Sequence, residues 1–403
     1  MISMIMKKQE QFLKVSLEKR QRIVITVLHL IESLRAGGAE RRLVNDLINI
    51  DKKKFKNIVC CLFNNKELLN DLDVYNIPVY FFGMRHNFDL YNFFKGFLNV
   101  FRKYRHSIGI LHTQLFFSNI YGRIFGRILG FKRIVTTFQY PDYDKDNSGN
   151  YSFKRKIIDY YSSKLNCGFI AVSEYVKKSF ISKLKLQKPV HVIYNYVDER
   201  RVNEKIKRSS VSIKEELKVK NNEIMLISVG RLEVQKGYEY LIESMVKIVE
   251  SRSKVKLFIA GEGSMEEKLS NMIQELSLQD NIFLLGQRKD VLELINACDI
   301  FVLVSLNEGL SVALLEAMIL KRLCIVSDIP SNREVIIDGF NGFLSKKQSS
   351  LSIQNVLDKV LQNKENLYFC RENAKKSVME MFSVKSNIQK LEMFYETITN
   401  DVL

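Results

Sequence analysis

The chain has 403 residues, 46% hydrophobic and 27% charged, which excludes a disordered chain and suits two domains of roughly 200 residues better than one core. Its six cysteines form no CxxC pair and no zinc-like Cys/His spacing, so they read as buried free thiols of a reducing compartment. The net charge of +17 belongs to one half, since residues 1–200 carry 34 Lys+Arg against 17 Asp+Glu and residues 201–403 carry 28 of each. Only one side is therefore expected to meet a polyanion, either nucleic acid or anionic lipid.

The start, Met1 to Lys8, is too short and lacks the cleavage site of a secretory signal. No apolar run approaches the ~20 residues of a membrane span, so the chain is expected in the cytoplasm. Residues 1–20 read as a basic tail. Apolar, β-rich runs then follow at 22–31, 57–63, 79–82, 108–112, 133–138, 168–172 and 190–194, separated by stretches of helical period. Continuous apolar strands alternating with helices predict a buried parallel sheet of the doubly wound type. The stretch 92–105 groups Phe93, Phe94, Phe97 and Phe101 at helical spacing with cations at one end. It reads either as a membrane-interface helix or as a core helix with a solvated basic end. Lys52-Lys53-Lys54 and Lys154-Arg155-Lys156 add to the positive surface.

A polar stretch at 199–205 reads as a linker. Beyond it the pattern repeats, with strands predicted at 224–229, 256–260, 282–285, 300–304 and 323–326, and helix after Leu344 to the end. The expected domains are 1–198, 199–380, and a C-terminal helix over 381–403 that packs back on the first. The fold class is α/β, two Rossmann-like doubly wound domains facing a central cleft, because ligands of such sheets lie beyond the strands' carboxyl ends.

Two loops carry the chemistry. After the strand ending near Gly230, Arg231 and Lys236 stand on the turn that leads to a helix near Gly237; a guanidinium and an ammonium on one loop suit a diphosphate. After the strand ending near Val304 come Glu308, Gly309, Leu310 and Ser311, then a helix bearing Glu316. The unpaired amides at that helix start suit phosphate, and a carboxylate on either side suits sugar hydroxyls. The alternative is a pair of solvated loops whose carboxylates serve only the helix.

Gly230-Arg231-Leu232, Lys236-Gly237, Gly261-Glu262-Gly263, Leu285-Gly286, Glu308-Gly309-Leu310 and Leu315-Glu316-Ala317 together resemble retaining glycosyltransferases of family four, which have the GT-B fold. The resemblance implies that Arg231 and Lys236 hold the diphosphate of a nucleotide-sugar donor, Glu316 the ribose and Glu308 the transferred sugar. Gly286 and Arg288 would lie against the base. In the first half, Gly37 and Gly38 match the family's glycine loop beside the donor phosphates and acceptor. His112 stands at the end of the fourth strand, where the family often shows His-x-His, but the second position is Gln114. Asn195-Tyr196-Val197-Asp198 departs likewise from the usual Asn-Gly-Val-Asp.

No cofactor and no metal are expected, because the cations and the helix end take a metal's place; Asp142-Tyr143-Asp144 lies in a polar loop, away from a nucleotide-binding strand. The expected partners are a nucleotide-diphosphate sugar, a glycan or lipid-linked acceptor and an anionic membrane surface, with no nucleic acid, and the chain would sit peripherally on the inner face of the cell membrane. The expected activity is retaining sugar transfer in surface polysaccharide or glycolipid synthesis. The alternatives are a sugar-nucleotide epimerase of the same fold and a basic nucleic-acid binder, and the second lacks any RNA- or DNA-binding signature. A dinucleotide oxidoreductase is excluded, since neither half opens with G-x-G-x-x-G.

Overall fold

A computed structural model describes residues 24–35, 37–141, 153–363 and 367–400. The basic tail over residues 1–20 and Asp142-Tyr143-Asp144 lie outside the described residues. Two parallel-sheet α/β assemblies follow one another along the chain. The first sheet takes the order β3-β2-β1-β4-β5-β6-β7, from β1 (Ile25–Ile31), β2 (Phe55–Cys61), β3 (Val79–Phe81), β4 (Ile108–Gln114), β5 (Ile134–Phe138), β6 (Gly168–Ala171) and β7 (Val190–Val192). β1 pairs in parallel with both β2 and β4. It is buried at every position, which is why its sequence is an apolar run and not an alternation.

The second sheet takes the order β10-β9-β8-β11-β12-β13, with β8 (Ile224–Val229), β9 (Val255–Ala260), β10 (Ile282–Leu284), β11 (Ile300–Leu303), β12 (Leu323–Ser327) and β13 (Phe343–Ser345). All its pairs are parallel. In both sheets the first strand has neighbours reached by opposite crossovers, so each has a switch point, at β1/β4 and at β8/β11.

The described residues form two compact units. One runs to Thr136 and takes in Leu165–Cys167 and the chain from Tyr395; the other comprises Thr137–Lys164 and Gly168–Phe394. The expected boundary near Asp198 to Ser210 falls inside the second unit. One expectation about elements changes, one strand is added and one open reading is decided. The linker reading of 199–205 gives way to a helix, Glu199–Lys205, whose first amides are capped by Asp198 and whose Val202 is buried. A strand that the sequence does not announce, Phe343–Ser345, pairs with β12, and three helices follow it among the described residues, as expected after Leu344. The stretch 92–105 resolves to the core reading: in the helix Leu90–Tyr104, Phe93, Phe97 and Val100 are buried at i, i+4 and i+7. Phe93 and Phe97 stack at 5.3 Å, and burying each ring stabilises the unit by about 1.5–3 kcal/mol.

Candidate active site

The switch point of the second sheet collects the expected donor-side residues within one unit. β8 ends at Val229, and Gly230 continues its ladder by donating to the Ala260 carbonyl at 3.0 Å. The chain then makes a short 3-10 turn, Val234–Lys236, and enters the helix Tyr238–Ser251 through Gly237. Gly237 has φ +66°, and a Cβ there would lie 2.6 Å from the Val304 carbonyl oxygen. Only glycine meets both demands, so this turn is locked against the end of β11.

That lock brings Lys236 to the second loop. Its ammonium donates to Glu308 Oε1 at 2.5 Å, and Ser305 Oγ donates to the same oxygen at 2.7 Å. Both charged side chains are largely buried, at 13% and 12% exposure. A desolvated pair is costly to leave half made. The loop beneath is fixed as tightly. A Cβ on Gly309 would sit 2.0 Å from the Gln139 carbonyl oxygen, the Leu310 carbonyl accepts from Asn195 Nδ2 at 2.9 Å, and Asn307 accepts from the Tyr175 hydroxyl at 3.4 Å. Ser311 then caps the helix Val312–Ile319 by accepting from the Leu314 amide. Glu316 stands in its second turn and is buried. Arg231, on the turn after β8, is exposed.

The loop after β10 turns at Gly286, whose carbonyl accepts from the Gly261 amide at 2.8 Å. Arg288 is not a loose cation. Its guanidinium donates to Asp290 at 2.8 and 2.6 Å and to Glu216 at 2.8 Å, and the hydrogen bond to Asp290 above all pushes its pKa further up. Arg208 joins the same carboxylates and Glu293. Asp290 is visible from the sequence two residues away, but Glu216 and Arg208 come together only in the fold.

The expected residues of the first half of the chain are placed differently. Gly37 caps the helix Gly38–Asn49 with φ −83°; a Cβ on it would meet only the flexible Glu40 carboxylate, and one on Gly38 would meet nothing within 4 Å. His112 does not end its strand, which runs on to Gln114. Its ring is 1% exposed, pairs through Nδ1 with the Tyr395 hydroxyl at 2.6 Å and lies 5.3 Å from the ring of His29. His29 Nε2 in turn pairs with Asn57 Oδ1 at 3.0 Å. Burial first, then His29 and Arg42, hold His112 well below the usual imidazole range. An enclosed neutral imidazole bonded to a buried tyrosine serves packing better than it serves a substrate. Tyr196 is 1% exposed and has no positive φ, so the tyrosine in Asn195-Tyr196-Val197-Asp198 fills the core without the left-handed turn that glycine would allow. Sequence reasoning did not single out Ser305 or Tyr395: a lone serine before a carboxylate and a tyrosine 283 residues from its histidine carry no local signal.

Among the described residues no group of three or more His, Cys, Asp or Glu could hold a metal ion.

Comparisons with known proteins identify the family and the fold. The family described as Glycosyltransferase Family 4 matches residues 36–201, and Glycosyl transferases group 1 matches residues 209–377. The UDP-Gal:alpha-D-GlcNAc-diphosphoundecaprenol alpha-1,3-galactosyltransferase of Escherichia coli is 28% identical over 71% of this chain and 74% of its own. The capsular polysaccharide biosynthesis glycosyltransferase CapH of Staphylococcus aureus is 22% identical over 93% of this chain and all of its own. In fold, the chain is similar to Anabaena HepE crystallised with UDP-glucose, with a TM-score of 0.79 at 20% identity over 93% of this chain and all of that one.

Proposed function

This chain belongs to the group 1, family 4 glycosyltransferases, and from that membership we propose that it moves a sugar, with retention of configuration, from a nucleotide diphosphate to a glycan or lipid-linked acceptor. The setting is surface polysaccharide or glycolipid synthesis at the inner face of the cell membrane. The E. coli relative named for a diphosphoundecaprenol acceptor and the capsular relative support that setting. Among the described residues no helix is long and apolar enough to cross a membrane, so contact with a bilayer would be peripheral.

The observation that carries the reading is the meeting of Lys236 with Glu308 on the loop that leads into the capped helix start at Ser311, at the switch point where doubly wound sheets bind nucleotides. The amides of that helix start and the ammonium of Lys236 would bind the diphosphate, with Arg231 on the same turn adding a second cation. Glu308 would exchange part of its bond to Lys236 for the hydroxyls of the transferred sugar. Glu316 would take the ribose, and the Gly286 loop the base. As the sugar–phosphate bond breaks, negative charge gathers on the leaving diphosphate, and the helix-start amides, with the Lys236 ammonium as it shifts from Glu308, stabilise the transition state. An oxygen of the departing diphosphate takes the proton of the acceptor's hydroxyl, and the hydroxyl oxygen forms the new bond to the anomeric carbon on the face from which the diphosphate leaves; in this proposal no enzymic nucleophile and no metal enters the step.

Lys236→Ala is expected to lower turnover at saturating donor by about two orders of magnitude or more, by analogy with the loss of one donor to a developing anion. Near-normal turnover in that variant would remove Lys236 from the mechanism. Product analysis with and without acceptor separates transfer from epimerisation of the donor, because an epimerase would convert donor alone.

A further inference from the structure

The helix Phe153–Ser163 is built inside out. It belongs to the second unit, and the side it turns to the protein carries Asp159, Ser162 and Ser163, exposed by only 3%, 5% and 3%, beside the half-buried Tyr160, which packs on the core. Its opposite side presents Phe153, Ile157, Ile158 and Tyr161 to solvent at 67%, 38%, 47% and 63%. These four follow i, i+4, i+5 and i+8, a single stripe on a helix of 3.6 residues per turn. A helix in a globular protein places its apolar stripe inward, whereas this stripe is left exposed among the described residues.

The chemistry around the stripe selects its occupant. Lys154, Arg155 and Lys156 open the helix and Lys164 follows it, while its one acid, Asp159, faces inward. The Lys164 ammonium lies 4.6 and 5.3 Å from the rings of Tyr160 and Tyr161, a cation at the edge of an aromatic band. Apolar side chains flanked by lysines, with no outward carboxylate among the described residues of the helix, match the acyl boundary and the phosphates of an anionic bilayer. A protein partner would be expected to meet acidic groups on this face as well.

We propose that the helix Phe153–Ser163 is the surface by which this enzyme docks on anionic lipid. The proposal rests on the reading of a lipid-side acceptor given above, and it assigns to the bilayer a helix different from the aromatic one that the sequence brings forward.

Co-sedimentation of the full chain tests it, using vesicles of phosphatidylcholine alone and of phosphatidylcholine mixed equally with phosphatidylglycerol, without donor or acceptor. The chain is expected to bind the mixed vesicles and to be released by salt. The triple variant Ile157→Ser, Ile158→Ser, Tyr161→Ser should lose partition by about tenfold or more, since each tenfold corresponds to only about 1.4 kcal/mol of lost insertion. Lys154→Glu with Lys164→Glu, both on exposed positions, should abolish the preference for phosphatidylglycerol while leaving the melting temperature unchanged. Partition of the triple variant equal to wild type overturns the proposal, as does binding that ignores both lipid charge and salt. A wild-type dimer that the triple variant dissociates would assign the face to a second copy. A lower melting temperature with unchanged vesicle binding would assign it to packing within the chain. Because no sugar chemistry enters the measurement, a negative result removes the docking helix and leaves the transferase reading standing.

Discussion

The two sheets reverse strand order at the same topological place, between β1 and β4 in one and between β8 and β11 in the other, yet opposite chemistry fills the two places. At β8/β11 the polar groups stand on the loops beyond the strand ends, where Lys236, Ser305 and Glu308 converge. At β1/β4 they stand inside the strands and bond to the protein itself, His29 to Asn57 and His112 to Tyr395. Topology offers a binding place in both sheets. A side chain becomes a candidate for chemistry only where the loop leaves it for a ligand to reach. The family's His-x-His position, carried here by His112, has been drawn into the interior.

The sharpest way to break the contrast is at the loop glycines. Gly309→Ala must displace backbone, since its Cβ would be 2.0 Å from the Gln139 carbonyl oxygen. Overpacking that cannot be relieved by a side chain is expected to cost about 3 kcal/mol or more, read as a lower denaturant midpoint, together with loss of transfer because Glu308 and Ser311 flank the same residue. A variant of normal stability and normal turnover would show that this loop yields, and would weaken the claim that it is pre-built for the diphosphate.

Acid should separate the two places by a similar amount. Burial lowers the His29 pKa from 6.5 to about 4, with the Asn57 bond opposing the shift, and depresses His112 in the same direction. A folded-state pKa below the unfolded one means that the unfolded chain binds more protons across that window. Stability is therefore full above about pH 6.5 and falls as pH drops toward 4, by roughly 3 kcal/mol from His29. The two rings are neighbours and titrate as a pair. Urea unfolding followed by circular dichroism at pH 7 and pH 4.5 measures the loss, and His29→Gln should flatten it. An unchanged slope in that variant would place the acid sensitivity elsewhere.

The same contrast explains what could be read from the sequence. Strands such as 25–31 and 224–229 were legible because both faces of a parallel sheet are buried, which writes continuous apolar runs into the chain. β13 was not, since three residues between Gly342 and Lys346 carry no period. The helix Glu199–Lys205 hid behind a polar sequence because one buried residue, Val202, holds it. The loops after β8 and β11, which the structure brings together at Lys236 and Glu308, stand out in the sequence because cations, glycines and carboxylates cluster there within a few positions. Contacts made over long separations were not: Ser311 caps its own helix visibly, but nothing near Arg288 announces Glu216, 72 residues away.

Tyr395→Phe removes the hydroxyl that bonds to His112 and keeps the ring that packs 5.7 Å from Phe55. Loss of one buried hydrogen bond is expected to cost about 1–2 kcal/mol, with turnover at saturating donor unchanged in the folded fraction. A fall in turnover larger than the fall in folded protein would return His112 to the chemistry and erase the difference between the two switch points.

The smallest expected effect belongs to Gly38→Ala. The position begins the helix Gly38–Asn49, its φ is not positive, and an added Cβ meets nothing within 4 Å. Alanine there narrows the unfolded ensemble and should raise stability by about 0.4–1 kcal/mol, a few degrees in Tm at most. The kinetic result carries more weight than the thermal one. If the glycine loop lets a substrate approach the backbone, as the family resemblance implies, the methyl group should raise KM while the protein itself becomes more stable. A stabilised variant with unchanged KM for donor and acceptor would make Gly37-Gly38 a turn and nothing more, and would confine the recognisable chemistry of this chain to the second sheet.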